Sequence, residues 1–114
     1  MPTGRNLYSA KVITQTIAGG SVPVPVGDVD FIAVGITVSA ISGTNPTATF
    51  AVQWSFDGDV WTDPLADDED TVATFTQTGS RVRRIPVKAT YWRLGAVVGG
   101  TNPSFTVTAN VLVW

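Results

Sequence analysis

Residues 91–114, YWRLGAVVGGTNPSFTVTANVLVW, carry the clearest pattern in this sequence. Apolar residues alternate with polar or small ones on both sides of a glycine-rich segment, residues 99–103. The alternating apolar residues are Trp92, Leu94, Ala96 and Val98 before this segment, and Phe105, Val107, Ala109, Val111 and Val113 after it. Because successive side chains of a strand point to opposite faces, each arm has one apolar face. The segment between the arms is dense in turn formers, so the stretch predicts a β-hairpin.

The same alternation of apolar and polar residues occurs earlier in the chain. Residues 30–41 and 47–56 both alternate, and residues 42–46 separate them. The predicted inward residues are Ile32, Val34, Ile36 and Val38 in the first strand, and Ala48, Phe50, Val52, Trp54 and Phe56 in the second. The segment Gly-Thr-Asn-Pro occurs at 43–46 and again at 100–103. This repeated segment predicts two similar hairpins. The repetition is explained either by duplication or by the suitability of Gly-x-Asn-Pro for turns.

The remaining segments are also strand-like. Residues 7–17, 71–77 and 81–87 read as strands, and the last of these contains Pro86, which predicts an edge position. Residues 22–26, VPVPV, predict an edge or extended segment for the same reason, and Asp57-Gly58 predicts a hairpin turn. We therefore predict an all-β fold: a single-domain antiparallel β-sandwich or jelly roll of seven to eight strands over residues 7–114, preceded by a flexible arm at residues 1–6.

The large apolar residues identify the expected core. Phe50, Trp54, Trp92 and Phe105 fall on the inward faces and should provide much of the bulk between the two sheets. Truncating Trp54 or Trp92 to alanine should cost about 3–5 kcal/mol if the side chain is buried.

Composition limits the chemistry that the chain can perform. It has 114 residues, a net charge of −2, no cysteine and no histidine. Histidine is the commonest general base and metal ligand, so the residue content argues against an enzyme, and we expect no catalytic residues, cofactor or metal. No apolar run is long enough to cross a membrane, and no signal peptide is apparent. The small net charge gives no indication of a nucleic-acid or membrane partner.

Acidic residues are concentrated in one region. Seven of the nine acids lie between residues 57 and 70: Asp57, Asp59, Asp63, Asp67, Asp68, Glu69 and Asp70. Oxygen-rich loops can bind Ca²⁺, but the spacing here lacks the ligand pattern of an EF-hand. A pair of carboxylates can hydrolyse glycosides, but that requires an aromatic cleft and a fixed separation. A solvated loop is the favoured interpretation over both alternatives.

Basic residues follow shortly afterwards. Five of the seven cations are Arg81, Arg83, Arg84, Lys88 and Arg93. Aromatic residues nearby resemble a nucleic-acid surface superficially, but the neighbouring acids would repel phosphate. We predict instead that the acidic segment 57–70 of one copy meets the basic strand of the next, head to tail, through Asp67, Asp68 and Asp70 on one side and Arg81, Arg83 and Arg84 on the other. Pairing within one chain, or a simple contribution to solubility, remains the alternative.

Two tryptophans do not fit the inward pattern. Trp61 lies beyond the Asp57-Gly58 turn, and Trp114 ends the sequence on the polar face of the last strand. An exposed tryptophan suits sugar stacking or a protein interface, so both residues are candidate contacts. Trp114 could equally close one end of the core.

Two motifs resemble known families. Residues 54–61, WSFDGDVW, are similar to a Ser-x-Asp-Gly-x-x-Trp hairpin found in discoidin-like carbohydrate-binding domains and in tailed-phage structural proteins. The run YWRL at 91–94, followed by the turn and FTVTA at 105–109, resembles the ending of phage head decoration proteins. Together these motifs cover roughly the C-terminal 70 residues; the N-terminal half matches no named pattern.

The resemblance implies a β-sandwich that binds the outside of an assembled capsid, commonly as a trimer. We therefore expect a non-enzymatic virion structural protein, made in the host cytoplasm, that decorates the capsid surface through contacts with the major capsid protein and with its own copies, without nucleic acid or membrane as partners. The alternative is a carbohydrate-binding or tail receptor-binding module that uses Trp61 with Asp57 and Asp59.

Overall fold

The computed structural model describes residues 3–16, 24–25, 30–63 and 68–113. The strands are β1 (Thr3–Ile13), β2 (Val24–Pro25), β3 (Phe31–Ser55), β4 (Thr71–Phe75), β5 (Gly79–Pro86) and β6 (Tyr91–Val113). A single 3₁₀ turn, Asp68–Asp70, precedes β4. All the strand pairs are antiparallel. The predicted all-β class is confirmed, and no α-helix occurs among the described residues.

The two predicted hairpins are wrong. β3 and β6 are long strands of 25 and 23 residues that pair with each other along their whole length, from Ile32 opposite Val113 to Ser55 opposite Tyr91. Each predicted hairpin is therefore one strand, and the described residues form six strands, fewer than the seven to eight expected. The backbone groups of each half-strand bond to a distant segment of the chain, so the Gly-Thr-Asn-Pro segments do not reverse the chain.

The two Gly-Thr-Asn-Pro segments lie side by side midway along the paired strands β3 and β6. We refer to this point, where the register shifts, as the crossing. Gly43 and Gly100 have φ values of +112° and +107°, and Asn45 and Asn102 have φ values of 49° and 50°. A Cβ on Gly43 would lie 2.7 Å from the Asn102 carbonyl oxygen, and one on Gly100 would lie 2.7 Å from the Asn45 carbonyl oxygen. The crossing is thus close to two-fold symmetric. The register shifts here are those of β-bulges, which bend strands and increase their twist.

The long strands must bend. A straight strand of this length would span about 80 Å at roughly 3.3 Å per residue, whereas the longest dimension of the molecule is 42 Å. Each half of the two strands also has different neighbours. Before the crossing β3 pairs with β5, and after it β3 pairs with β4. β6 pairs with β2 before its crossing and with β1 after it.

One apolar core joins both halves. The predicted inward sets are confirmed as buried, with the exception of Phe56 and of Val98 and Val113. Fully buried large side chains include Phe50, Trp92, Phe105, Ile32, Ile36 and Leu94. Trp54 is 3% exposed, and Ala109 and Val111 complete the same cluster. Phe56 is 79% exposed because β3 ends at Ser55, so the alternation no longer determines its direction. Val98 is partly buried against the core; the side chain of Val113 lies outside the described set.

The outward face of the second half of β3 differs from expectation. Alternation with the inward residues places Ala51, Gln53 and Ser55 on the outward face, yet all three are buried. The chain after β3 folds back over this face, as the hydrogen bond from the Gln53 side-chain amide to the Thr62 carbonyl shows.

The edge predictions stand. Among the strands that the structure describes, β5 pairs with β3 alone, and Val24–Pro25, the described part of the VPVPV segment, pairs with β6 alone. The N-terminus departs from its predicted boundary, because β1 begins at Thr3 and pairs with β6 from Thr3 opposite Val113. Residues 3–6, assigned to a flexible arm on sequence grounds, therefore belong to the sheet.

Candidate interaction surface

The segment after β3, residues 56–63, forms a self-supporting turn; we refer to it as the acidic loop. One carboxylate oxygen of Asp57, Oδ1, accepts hydrogen bonds from the Ser55 hydroxyl and from the backbone N–H groups of Asp59 and Val60, at 2.8–2.9 Å. The Ser55 hydroxyl oxygen in turn accepts from the Gly58 N–H at 2.8 Å. The N–H groups of Val60 and Asp59, and then the Ser55 hydroxyl, lower the pKa of Asp57 below its ordinary value of 3.8.

The end of the acidic loop is attached to the sheet. Thr62 donates its N–H to the Trp54 carbonyl at 3.0 Å, and its hydroxyl accepts from the Trp54 N–H at 3.0 Å. The Arg93 guanidinium lies 4.2 Å from the centre of the Trp61 ring and donates from Nε to the Gln53 amide oxygen at 3.2 Å. Burial lowers the pKa of Arg93 below its usual range. Trp61 is therefore half-buried, with a cation against its ring.

The middle of the acidic loop is apolar and exposed. Phe56 and Val60 are 79% and 73% exposed. Beside them is a cleft of about 440 Å³, lined in part by Trp54, Phe56, Val60, Trp61, Lys88 and Ala89. Its walls are mainly aromatic and aliphatic, and its polar groups come from Thr62, Lys88 and Asp70.

Asp70 lies at this cleft rather than on a solvated loop. It is 6% exposed and accepts a hydrogen bond from the Trp54 indole N–H at 2.9 Å. The Lys88 ammonium lies 3.2 Å from Asp70 and 3.7 Å from Glu69. The expectation of a solvated carboxylate at Asp70 is wrong, because the 3₁₀ turn directs this carboxylate to a core tryptophan. Its charge is thus compensated within the chain.

The basic strand β5 presents a second surface. Arg81, Arg83 and Arg84 are exposed, as predicted, and Val82 between them is 75% exposed. Arg83 donates to the Thr71 carbonyl at the start of β4. The Arg84 guanidinium lies 4.2 Å from the centre of the Phe31 ring, and Arg81 donates to the neighbouring Ser80 carbonyl at 3.0 Å.

The structure separates the predicted interface residues. Lys88 pairs with Glu69 and Asp70 and Arg83 reaches the chain beside them, so this acidic segment is engaged within its own chain, the alternative that the sequence left open. Asp68 opens the 3₁₀ turn, but its side chain lies outside the described set. Asp67 and Trp114 also lie outside the described residues. Trp61 is half-buried against Arg93, and Arg81, Arg83 and Arg84 are exposed.

Sequence reasoning missed three exposed apolar residues, Phe56, Val60 and Val82. The alternation placed Phe56 inward, and Val82 had no distinguishing signal beyond its position between arginines. Val60 could have been found from the turn: Asp57-Gly58 predicts a loop tip, and residues just after a tip are usually solvent-facing.

The described residues contain neither a cluster of metal-binding side chains nor a membrane-spanning helix. Over residues 3–16, 24–25, 30–63 and 68–113, no group of three or more His, Cys, Asp or Glu side chains is arranged to hold a metal ion. Within the same ranges, no helix has the length and apolar character needed to cross a membrane.

No protein-family model matches this chain, and no curated protein matches it.

Proposed function

We propose that this protein is a non-enzymatic structural protein of a virus particle, which decorates the outer surface of a phage capsid as an oligomer. Its partners are the major capsid protein and further copies of itself, and the resemblance to phage head decoration proteins favours a trimer. The resemblance and two structural observations, the order of the strands and the position of the exposed apolar residues, support this proposal.

Strand order is the observation that carries the proposal. When β3 and β6 are each divided at the crossing, the chain contains eight strand segments. Numbered along the chain, they pair in the orders 1-8-3-6 and 2-7-4-5. Two four-stranded layers with these orders make a jelly roll, and we propose that the two halves pack in this way around their shared core. Jelly rolls build many viral capsid and lectin domains.

The same fold can carry different functions, so the composition of the surface must also agree with the proposed function. Phe56, Val60 and Val82 are large apolar residues with at least 73% exposure. Charged residues border them on two separate segments of the chain, and the three residues do not surround a buried reactive group. Apolar residues bordered by charges are the composition of protein interfaces. On a shell, each copy makes several weak contacts at once, so the contacts add without any single one being strong.

Binding to shells tests the proposal. Empty shells are assembled from the major capsid protein of the phage that encodes this chain, mixed with the purified protein and sedimented. We expect the protein to co-sediment at a fixed ratio to capsid subunits and to raise the temperature at which the shells come apart. A protein of unrelated sequence but equal size is the control. If the protein stays in the supernatant at saturating concentration, the proposed function is wrong.

The cleft beside Trp61 favours one second candidate, a carbohydrate-binding or receptor-binding module. An aromatic ring at a cleft of this size is a common element of sugar sites. Two contacts weigh against it. Arg93 lies over the Trp61 ring, and Oδ1 of Asp57 is engaged by the acidic loop itself. Glycan-array binding that is lost in Trp61→Ala would favour this candidate over a capsid role.

A further inference from the structure

Three of the four large hydrophobic residues exposed in the described part lie beside charged side chains on the acidic loop and on β5. Phe56 and Val60 are in the acidic loop, Val82 is in β5, and the fourth, Val12, is in β1. In the acidic loop, the side chains of Asp59 and Asp63 make no hydrogen bond or ion pair among the described residues. The loop therefore presents two apolar groups bordered by two free carboxylates.

β5 presents the opposite charge around its own apolar residue. Arg81 and Arg84 contact Ser80 and Phe31, and neither has a carboxylate partner among the described residues. Val82 lies between them along the strand and faces outward beside Gly35, whose added Cβ would be 3.5 Å from the Val82 methyl group. By strand alternation Arg84 shares the outward face with Val82, whereas Arg81 points to the other face. Among the described residues β5 pairs along one side alone, so both guanidinium groups are reachable from its open edge beside Val82.

The positions of the two surfaces prevent them from meeting within one chain. The acidic loop covers the outward face of the second half of β3, through Gln53 and Thr62. Val82 lies on the outward face of the first half of β3, at Gly35. In a two-layer molecule whose inward faces share one core, these outward faces point in opposite directions. A surface on one face can then meet the other surface only on another copy.

We propose that the acidic loop of one copy binds β5 of the next copy, head to tail, with Phe56 and Val60 against Val82 and with Asp59 and Asp63 against Arg81 and Arg84. This contact rests on the proposed function, for which it identifies the surfaces that join sibling copies. The two surfaces differ from each other, so the interface is heterologous, and repetition of the same contact closes a ring or continues as a chain. The complementary charges set the direction of the contact.

Charge exchange tests the contact. Asp59→Lys/Asp63→Lys makes both surfaces basic, and Arg81→Glu/Arg84→Glu makes both acidic. In sedimentation velocity over a concentration series, we expect each double variant to self-associate at least about tenfold more weakly than the wild type. The fourfold variant has both surfaces exchanged and should recover association. An equimolar mixture of the two double variants should also recover it, because each surface then meets its opposite on the other variant.

Cross-linking tests whether residue 59 of one copy lies close to residue 82 of another. The chain has no cysteine, so Asp59→Cys and Val82→Cys each introduce a unique thiol. With a short bis-maleimide reagent, a mixture of differently tagged Asp59→Cys and Val82→Cys proteins should give a covalent heterodimer. A mixture of Asp59→Cys with Thr101→Cys, an exposed position at the strand crossing, is the matched control and should give none.

The outcomes separate this inference from the proposed function. A wild-type protein that associates while both double variants associate equally well uses other surfaces, and the inference is wrong although the capsid role stands. A wild-type protein that stays monomeric at every concentration and still binds shells also overturns the inference alone. Loss of shell binding, measured independently, overturns the proposed function.

Discussion

The two buried core tryptophans differ in one hydrogen bond. The Trp54 indole N–H donates to Asp70, whereas the Trp92 indole N–H has no hydrogen-bond partner among the described residues. A buried polar group without a partner loses its hydration and gains nothing in return. Trp92 therefore stabilises the molecule through packing alone, and Trp54 through packing and a charge-assisted hydrogen bond.

A matched pair of substitutions measures this difference. Trp54→Phe and Trp92→Phe remove similar volumes from buried sites, but only Trp54→Phe removes a hydrogen-bond donor from the buried Asp70 carboxylate, which keeps its ion pair with Lys88. We expect Trp54→Phe to reduce the free energy of unfolding by about 1–3 kcal/mol more than Trp92→Phe. Urea unfolding followed by far-UV circular dichroism provides the measurement. Equal losses would show that the Asp70 hydrogen bond contributes nothing to stability.

Asp57 gives the acidic loop a defined pH dependence. Its pKa is lower in the folded chain than in the unfolded chain, where it is near 3.8. The carboxylate therefore contributes stability above the unfolded pKa, and the contribution is lost as the pH falls through the folded pKa. We expect Asp57→Asn to melt at a lower temperature than the wild type at pH 7, with a difference that shrinks below about pH 3.8. A difference that is constant across this range would contradict the prediction.

At the scale of elements, alternation predicted which residues face inward but not which strands pair. Ile32, Val34 and Ile36 are buried as expected, because their direction depends on local backbone geometry alone. The predicted hairpins failed because Gly and Asn with positive φ serve a β-bulge as well as a turn. Sequence alone could not tell that each Gly-Thr-Asn-Pro segment has the other as its partner.

The candidate site was predictable to a smaller extent. The arginines of β5 were identified because their exposure follows from an edge strand, whereas Trp61, expected to be exposed, is half-buried against Arg93. Asp70 was not identified, since its partner Trp54 lies 16 residues away and only the folded chain brings the two together. The burial of Gln53 likewise depends on the return of the acidic loop, which no periodicity encodes.

The strand crossing predicts an asymmetry among glycine substitutions. Gly43→Ala would place a methyl group 2.7 Å from the Asn102 carbonyl oxygen at a φ of +112°, so both space and backbone conformation oppose it. We expect it to cost at least about 1–3 kcal/mol. Gly79→Ala, with its nearest atom 4.0 Å away, is the control and should stay within about 0.5 kcal/mol of the wild type. Guanidinium unfolding compares the two, and equal costs would show that the crossing tolerates a side chain.

For the whole molecule, the essential question is whether the two halves form one cooperative unit. Ile36 lies in the half of β3 that pairs with β5, and Leu94 lies in the opposite half, paired with Val52; both belong to the same buried cluster. In the two-layer packing that we propose, neither layer can be lost separately, since each covers the apolar face of the other. A small single domain of this kind unfolds in one transition.

Truncation in either half should therefore shift the same transition. We expect Ile36→Ala and Leu94→Ala each to cost about 2–5 kcal/mol and to move the unfolding curves from tryptophan fluorescence and from far-UV circular dichroism together. Calorimetric and van't Hoff enthalpies should agree in both variants. If Ile36→Ala instead produced a separate early transition while the fluorescence of Trp54 and Trp92 stayed native, the halves would be independent units. The two-layer packing on which the opposed docking surfaces depend would then be wrong.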